Sequence, residues 1–357
     1  KEKIVFLFNN KQPSILGVDI SATAIKLLEF SHKEGKYTIE SYAVEALPSS
    51  SVMDNIITDI EVVGEVVARA VKKSGSRAKQ AAVCVAGSTV ITKVISMPSG
   101  LSDDEMETQI QFEADQYIPF PLEEVAIDFE VIGDSEEGAD RVNVLLAASR
   151  LETVDNVVSS IELGGLNAKI VDVEAFVIEN TIELISGDFP VGISKDAIAV
   201  ADIGYSATNF SVMENMKMIY SREETFGGLQ LTEEIQRKYG LTLQEAELAK
   251  INGGLPANYE QELLEPFKGN LASQIGRALQ FFYASSQISS VDILVLAGGC
   301  SSISGVAELI ESRLGVKTII ANPFANMALA PKVNAESLAK HAPAMMIACG
   351  LALRGSH

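Results

Sequence analysis

Apolar residues gather early in the chain into three short stretches, 15–18, 25–30 and 37–44, separated by polar turns, the second of them 31–36. That spacing predicts a β-meander. Over 62–73 the apolar positions recur at helical spacing and close on Lys72-Lys73 before Gly75, while 81–86 reads as a buried strand. A meander feeding a helix and a buried strand indicates a mixed α/β sheet.

Beyond Met97-Pro98-Ser-Gly100 the composition shifts. Ser102 and Glu105 have capping-box spacing, and Met106, Ile110, Ala114 and Tyr117 form one stripe of a helix that Pro119 should stop. Strands are expected over 125–132 and 141–148 around an acidic loop, then a helix over 152–163 closed by Gly164-Gly165. This stretch of roughly 75 residues has the inventory of a small subdomain and reads as an insertion. A strand over 168–173 and a helix over 174–185 lead to a crossover near 187–192. Strands over 197–202, 209–213 and 218–222 then repeat the opening meander. Helices follow over 231–239, 242–250 (capped by Thr242 and Glu245) and 266–286, and a buried strand over 291–297 runs into Gly298-Gly299 before a helix over 306–314.

At 357 residues and 47% apolar content, the chain is long enough for two lobes with separate cores. Its formal net charge of −20 argues against nucleic acid and against direct adhesion to anionic lipid. Cys84, Cys300 and Cys349 are widely spaced and set among apolar residues, as reduced, buried thiols are; with His32, His341 and His357 equally scattered, zinc sites and His-dependent nucleophile triads have little support. No apolar run approaches the ~18 residues of a membrane-spanning helix, and 342–353 is short and interrupted by Pro343. Residues 1–13 read as a leader or edge strand, and 354–357 as possible vector residues.

Two stretches read alike: Leu16-Gly-Val-Asp19-Ile-Ser21-Ala-Thr23-Ala-Ile-Lys26 and Val200-Ala-Asp202-Ile-Gly204-Tyr-Ser206-Ala-Thr208-Asn209. Each places an Asp after an apolar strand and small or hydroxyl residues after the Asp. Such a turn can cradle phosphate with its N–H and hydroxyl groups while the carboxylate holds Mg²⁺ or its water shell. One copy alone would read as an Asx turn; two suggest a clamp for nucleotide. Gly298-Gly-Cys-Ser301-Ser and Phe226-Gly227-Gly228 each precede a helix, either as an approach to a flat ligand or as ordinary tight turns. Neither the P-loop nor the dinucleotide glycine motif occurs.

The order of these motifs, with a closing apolar helix over 344–353, resembles the actin-like ATPase superfamily. Within it, Ser102-Asp-Asp-Glu105, Ala114-Asp-Gln-Tyr-Ile-Pro-Phe-Pro-Leu-Glu-Glu-Val125, Thr225-Phe-Gly-Gly-Leu-Gln-Leu-Thr-Glu-Glu-Ile-Gln236 and Ala321-Asn-Pro-Phe-Ala325 are similar to the PilM family, cytoplasmic actin-like proteins of type IV pilus assembly. The resemblance spans nearly all of 14–353. It implies an α/β, actin-like (ribonuclease H-like) two-lobed ATPase fold in which, as in the division protein FtsA, an inserted SHS2-like subdomain 1C replaces 1B. The expected boundaries are 14–93 and 173–190 for 1A, 94–172 for 1C, 191–224 and 275–353 for 2A with 340–353 connecting back to 1A, and 225–274 for 2B.

It also implies ATP and Mg²⁺ between the lobes. Asp19 and Asp202 would face the metal, partly through water, and Ser21, Thr23, Lys26, Gly204, Ser206 and Thr208 the phosphates, although Lys26 alone reads first as a surface lysine. Gly227, Gly228, Glu233, Gln236 and Lys250 would flank ribose or base, with Gly298, Gly299 and Ser301 at the adenine; Cys300 departs from the small or hydroxyl residue usual there. Glu174, or alternatively Asp172, would orient an attacking water, and either reads otherwise as a helix-capping acid. The implied partner is the cytoplasmic N-terminal tail of the inner-membrane protein PilN, in a groove between 1A and 1C near 117–122, which would attach a cytoplasmic protein to the membrane indirectly. Other pilus platform proteins, motor ATPases and self-association are further expectations. An FtsA-like filament former and a small-molecule kinase of the same fold are the alternatives.

Overall fold

A computed structural model describes residues 14–48, 50–136 and 138–355; the expected leader lies outside them. The first sheet begins with the meander β1 (Ile15–Ile20), β2 (Ala24–Lys33) and β3 (Lys36–Ala46). The turn between β2 and β3 is tighter than the polar run 31–36 suggested. Glu34 and Gly35 both take positive φ, 50° and 75°, so the strands pair out to Lys33 and Lys36. A small hairpin, β4 (Val52–Met53) and β5 (Ile56–Ile57), precedes α1 (Ile60–Ser74), which Asp59 caps by accepting from Val62 N–H and Gly75 ends in the left-handed region. Then come β6 (Gln80–Val85), β7 (Val90–Pro98), α2 (Asp103–Ala114), β8 (Val125–Asp134), β9 (Arg141–Arg150), α3 (Leu151–Leu163), β10 (Asn167–Val173) and α4 (Glu174–Ile185).

The second half repeats the plan with the meander β11 (Ala197–Ile203), β12 (Thr208–Glu214) and β13 (Lys217–Glu224). Helices α5 (Gly228–Tyr239), α6 (Leu243–Asn252) and α7 (Glu265–Ser285) lead to β14 (Ile293–Ala297), α8 (Val306–Leu314), β15 (Thr318–Ile320) and β16 (Ala328–Leu329). The chain closes with α9 (Ala335–His341), a tight helical turn at Ala342–Met345, and α10 (Met346–Leu353); the helix expected over 344–353 starts at Met346, after the turn that carries Pro343.

The two large sheets have one topology. In the first the order is β10-β6-β1-β2-β3-β16, in the second β13-β12-β11-β14-β15, and in each an antiparallel meander is extended from its first strand by two parallel strands. Between the sheets lies a shared core that combines Ala82 of β6, Ile198 and Val200 of β11 and Ile293 and Val295 of β14 with Val177 and Ile182 of α4 and Met346 and Leu351 of α10. Outer faces are covered separately, by α1 and α3 on the first sheet and by α7 and α8 on the second.

The expected insertion boundaries, 94–172, need correction at both ends. Strand β7 starts at Val90 and pairs with β9, which pairs with β8, so the separate three-stranded sheet begins before residue 94. At the other end Val157 and Ile161 of α3 and Leu166 pack in the core under the first sheet, and β10 pairs with β6. The unit with its own sheet and α2 core, built on Met97, Met106, Ile110, Val144 and Leu146, is therefore 90–150. Helix α2 ends at Ala114, and Tyr117 and Ile118 lie in the turn beyond it, both bonded back to the Ala114 carbonyl.

Helix α10 lies against β1 and α4 so closely that glycine is required at two contacts. A Cβ on Gly17 would stand 2.2 Å from the Ala348 carbonyl oxygen, and one on Gly350 would stand 2.3 Å from that of Val177. Both obstacles are backbone and cannot rotate away. Gly17→Ala is expected to destabilise the fold by about 3 kcal/mol, while Gly187→Ala, where a Cβ meets nothing within 4 Å, stays near the parent. Denaturant unfolding of the two variants checks this.

Candidate functional site

Strands β1 and β11 end in turns that face each other across the lobes, and their partner strands are in the same register. Asp19 pairs with Lys26 and Asp202 with Asn209, each partner seven residues beyond its Asp. Lys26 Nζ lies 2.7 Å from Asp19 Oδ2 and also donates to Ser21 Oγ, 3.2 Å away. Burial alone would lower the Lys26 pKa, but the ion pair with Asp19 and the charges of Asp202 and Glu174 outweigh it and keep the ammonium charged. The surface reading of Lys26 is wrong.

Glu174 opens α4 and faces the same place. Its Oε1 accepts from Asn209 Nδ2 at 3.0 Å, and its Oε2 from the Gly87 N–H at 3.4 Å. Burial first, and then the charges of Asp202 and Asp19, push its pKa up to about 7. Asp202 is raised to about 6, again by burial, with Lys26 opposing and Asp19 adding. Three carboxylates thus share one lysine. Among the described residues no three His, Cys, Asp or Glu side chains are grouped to hold a metal by themselves, so a cation here needs further ligands from phosphate and water. One ammonium against three carboxylates leaves the site short of positive charge, and a divalent ion held also by phosphate and water fits that deficit.

Asp172 does not belong to this cluster. Its Oδ1 accepts the Val173 N–H at 2.8 Å and its Oδ2 lies 3.0 Å from Arg354 Nε, so burial raises its pKa while Arg354 opposes. Through the same pair Arg354 packs against the fold, and a Cβ on Gly355 would stand 2.8 Å from Ile15 Cβ. Residues 356 and 357 lie outside the described ones.

Several of the expected ligands are hydrogen-bonded within the protein. The buried Thr208 hydroxyl donates to the Phe226 carbonyl at 2.6 Å, and the Ser301 hydroxyl to that of Gly298 at 2.7 Å. Lys250 Nζ is shared among Glu247 and Thr232, each at 2.7 Å, and the Gly228 carbonyl at 3.2 Å, so it ties α6 to α5. The Gly228 and Leu229 N–H groups donate to the Gly204 and Tyr205 carbonyls, which turns the α5 N-terminus onto the Asp202 loop. Gly227 and Gly298 are there for close approach: a Cβ would come within 2.6 Å of the Gly204 carbonyl oxygen and 2.4 Å of that of Ile203, respectively, and Gly298 has φ +81°.

Thr23 and Ser206 remain partly exposed on the two turns, and a Cβ on Gly299 would meet nothing within 4 Å. Glu233 is exposed on α5 and near enough to Tyr205 to help burial and Glu247 raise that phenol's pKa; Gln236 lies one turn further along. Cys300 packs its thiol 3.5 Å from the Gly204 carbonyl, and burial pushes its pKa to about 11, so it remains a protonated filler.

This geometry meets a matching family. Over residues 17–356 the chain matches the family described as Type IV pilus assembly protein PilM. The chain belongs to the PilM family. It is similar, at 28% identity and TM-score 0.80, to a solved structure titled as the PilM-PilN type IV pilus biogenesis complex, with 97% of this chain and 100% of that chain covered. The ethanolamine utilization protein EutJ from Carboxydothermus hydrogenoformans shares the fold at 17% identity and TM-score 0.56, with 96% and 90% covered. The fold is that of the actin-like ATPases, and the chain is an actin-like component of type IV pilus assembly. Among the described residues no helix is long and apolar enough to cross a membrane.

Asn209, Gly87, Tyr205 and Glu247 were not singled out from sequence. The signal for Asn209 was present in the seven-residue spacing that it shares with Lys26.

The raised acids predict a pH dependence. Unfolded, Glu174 and Asp202 titrate near 4.5 and 3.8; folded, near 7 and 6. Across that window the folded state holds more protons, so these groups make stability fall as pH rises, and the loss is complete only once the pH has passed well through the Glu174 value of about 7. In nucleotide-free protein, Glu174→Gln should gain on the parent between pH 5 and 7.5 and be more stable by about 1–3 kcal/mol at the upper end. Urea titrations at the two pH values measure the gain.

Proposed function

We propose that this chain is a nucleotide-gated scaffold of the type IV pilus inner-membrane platform, binding ATP with Mg²⁺ between its lobes and the cytoplasmic N-terminal tail of PilN on its first-lobe side. The observation that carries the nucleotide half is the convergence of Asp19, Lys26, Asp202 and Glu174 from two equivalent hairpins and α4. Asp19 and Asp202 would hold Mg²⁺, partly through water, and the ion would supply positive charge against the phosphates. Ser21, Thr23, Gly204 and Ser206 offer the phosphate-facing turns, Lys26 offers charge, and the Gly228, Glu233 and Gly299 region would receive the nucleoside. Glu174, raised towards 7 and held from two sides, is suited to orienting a water for in-line attack.

The partner half is supported by family membership and by the similar complex structure, whose title names PilN. The unit 90–150 corresponds to subdomain 1C. It presents a cavity of about 560 Å³ between α2 and β8, lined by Ile110, Leu122, Val125, Ile127 and Phe129. That cavity lies wholly within 90–150 and includes Leu122, the end of the 117–122 turn expected at the groove between 1A and 1C. A soluble partner held by such a tail reaches the inner membrane indirectly. The kinase reading requires a sugar pocket built from long insertions in the first lobe, and 90–150 is a short unit with its own core.

A fluorescent peptide of the PilN N-terminal tail, titrated against the full chain with and without Mg-ATP, tests this reading. Micromolar or tighter binding is expected, with Leu122→Asp weakening it at least ~10-fold, about 1.4 kcal/mol. No binding in either nucleotide state would refute the partner assignment.

A further inference from the structure

Gly87, Ser88 and Thr89 form one tight helical turn between β6 and β7, at the entrance to the 90–150 unit. Contacts reach this turn from the second lobe by two routes. In the cleft, the exposed Gly87 donates its N–H to Glu174, whose other oxygen accepts from Asn209. At the rim, Asn55 Nδ2 donates to Ser88 Oγ at 3.1 Å and to Glu223 Oε2 at 2.7 Å. Asn55 stands at the tip of the β4–β5 hairpin, where it and Asp54 take positive φ, 62° and 48°, which fixes the direction of its amide.

The two routes start from one place. Asn209 and Glu223 are direct cross-strand partners in the β12–β13 ladder, so their side chains share one face of the second sheet. A single rung of that sheet therefore holds two successive residues of the turn. On its far side the turn is tied into the 90–150 unit: the Thr89 carbonyl accepts from Ser149 Oγ at 3.1 Å, and Val90 pairs with Ser149 in the β7–β9 ladder.

We propose that the Asn209–Glu223 rung senses lobe closure and that the Gly87–Thr89 turn passes it into β7, and so to the 90–150 unit. Hydrogen bonds weaken steeply beyond ~3.5 Å, so a lobe displacement of about 1 Å is enough to release both contacts. They release together because one rung carries them. Glu174 and Asn55 stay bonded to the turn but lose their hold from the second lobe, and the turn then follows the 90–150 unit through Ser149. In biological use this deepens the nucleotide-gated reading and rests on it; the mechanical coupling itself exists without nucleotide.

Amide hydrogen exchange on the full, nucleotide-free chain tests the coupling. Asn209→Ala and Glu223→Ala, both in the second lobe, should each speed exchange over 88–95 by roughly ten-fold, leave β14 unchanged and add little when combined. Glu223→Gln keeps an acceptor and should restore parental exchange. Unchanged rates over 88–95 in both alanine variants would overturn the proposal, as would an equal rise in β14, which would mean general loosening. Mg-ATP added to the parent should slow exchange over 88–95, and in the alanine variants it should not. If Mg-ATP fails to bind the parent, the gating reading falls while the nucleotide-free comparison still decides the coupling.

Discussion

Everything in the cleft depends on how closely α10 approaches β1 and α4. Gly17 and Gly350 remove the two Cβ atoms that would strike the carbonyls of Ala348 and Val177, and α10 then fills the space between the sheets with Met346, Ile347 and Leu351. Helix α4 shares that layer. With both helices buried against both sheets, the ends of β1 and β11 and the start of α4 are fixed relative to one another by packing that changes little without cost. The carboxylates therefore meet through the core.

That core imposes an electrostatic penalty. Asp19, Asp202 and Glu174 are brought into a low-dielectric region with Lys26 as their shared counter-charge, and the second and third acids respond by taking pKa values near 6 and 7. A fold selected for stability alone would not place three acids together there. Their clustering in a cleft is the ordinary signature of a site whose charge is completed by a ligand. The hairpins divide the work: Lys26 neutralises Asp19, while at the equivalent position Asn209 supplies a neutral amide that holds Glu174 without quenching it.

Much of this was legible in the sequence because duplication is visible as pattern. The two Asp turns, the repeated meander, the capping boxes at Ser102 and Thr242 and the strand running into Gly298 all follow from local rules. What sequence did not reveal was the hydrogen bonding of these polar side chains within the protein. Thr208, Ser301 and Lys250 have the right chemistry for a ligand, but tertiary packing places a backbone carbonyl or Glu247 within reach first. The extent of the insertion was misread for a similar reason. Helix α3 follows β9 directly, yet Gly64 and Gly164 allow α1 and α3 to pack closely, and that long-range contact draws α3 under the first sheet. Gly87 carried no local signal, since its part is a single N–H offered to Glu174.

In the proposed function the paired Asp turns form one nucleotide clamp. Isothermal titration of Mg-ATP into protein stripped of nucleotide, compared with Asp202→Asn, addresses it most directly. Binding to the parent that requires Mg²⁺ and weakens at least ~100-fold in the variant, about 2.7 kcal/mol, is the predicted result. Equal affinities in the two proteins, or no heat from the stripped parent at millimolar Mg-ATP, would contradict the account.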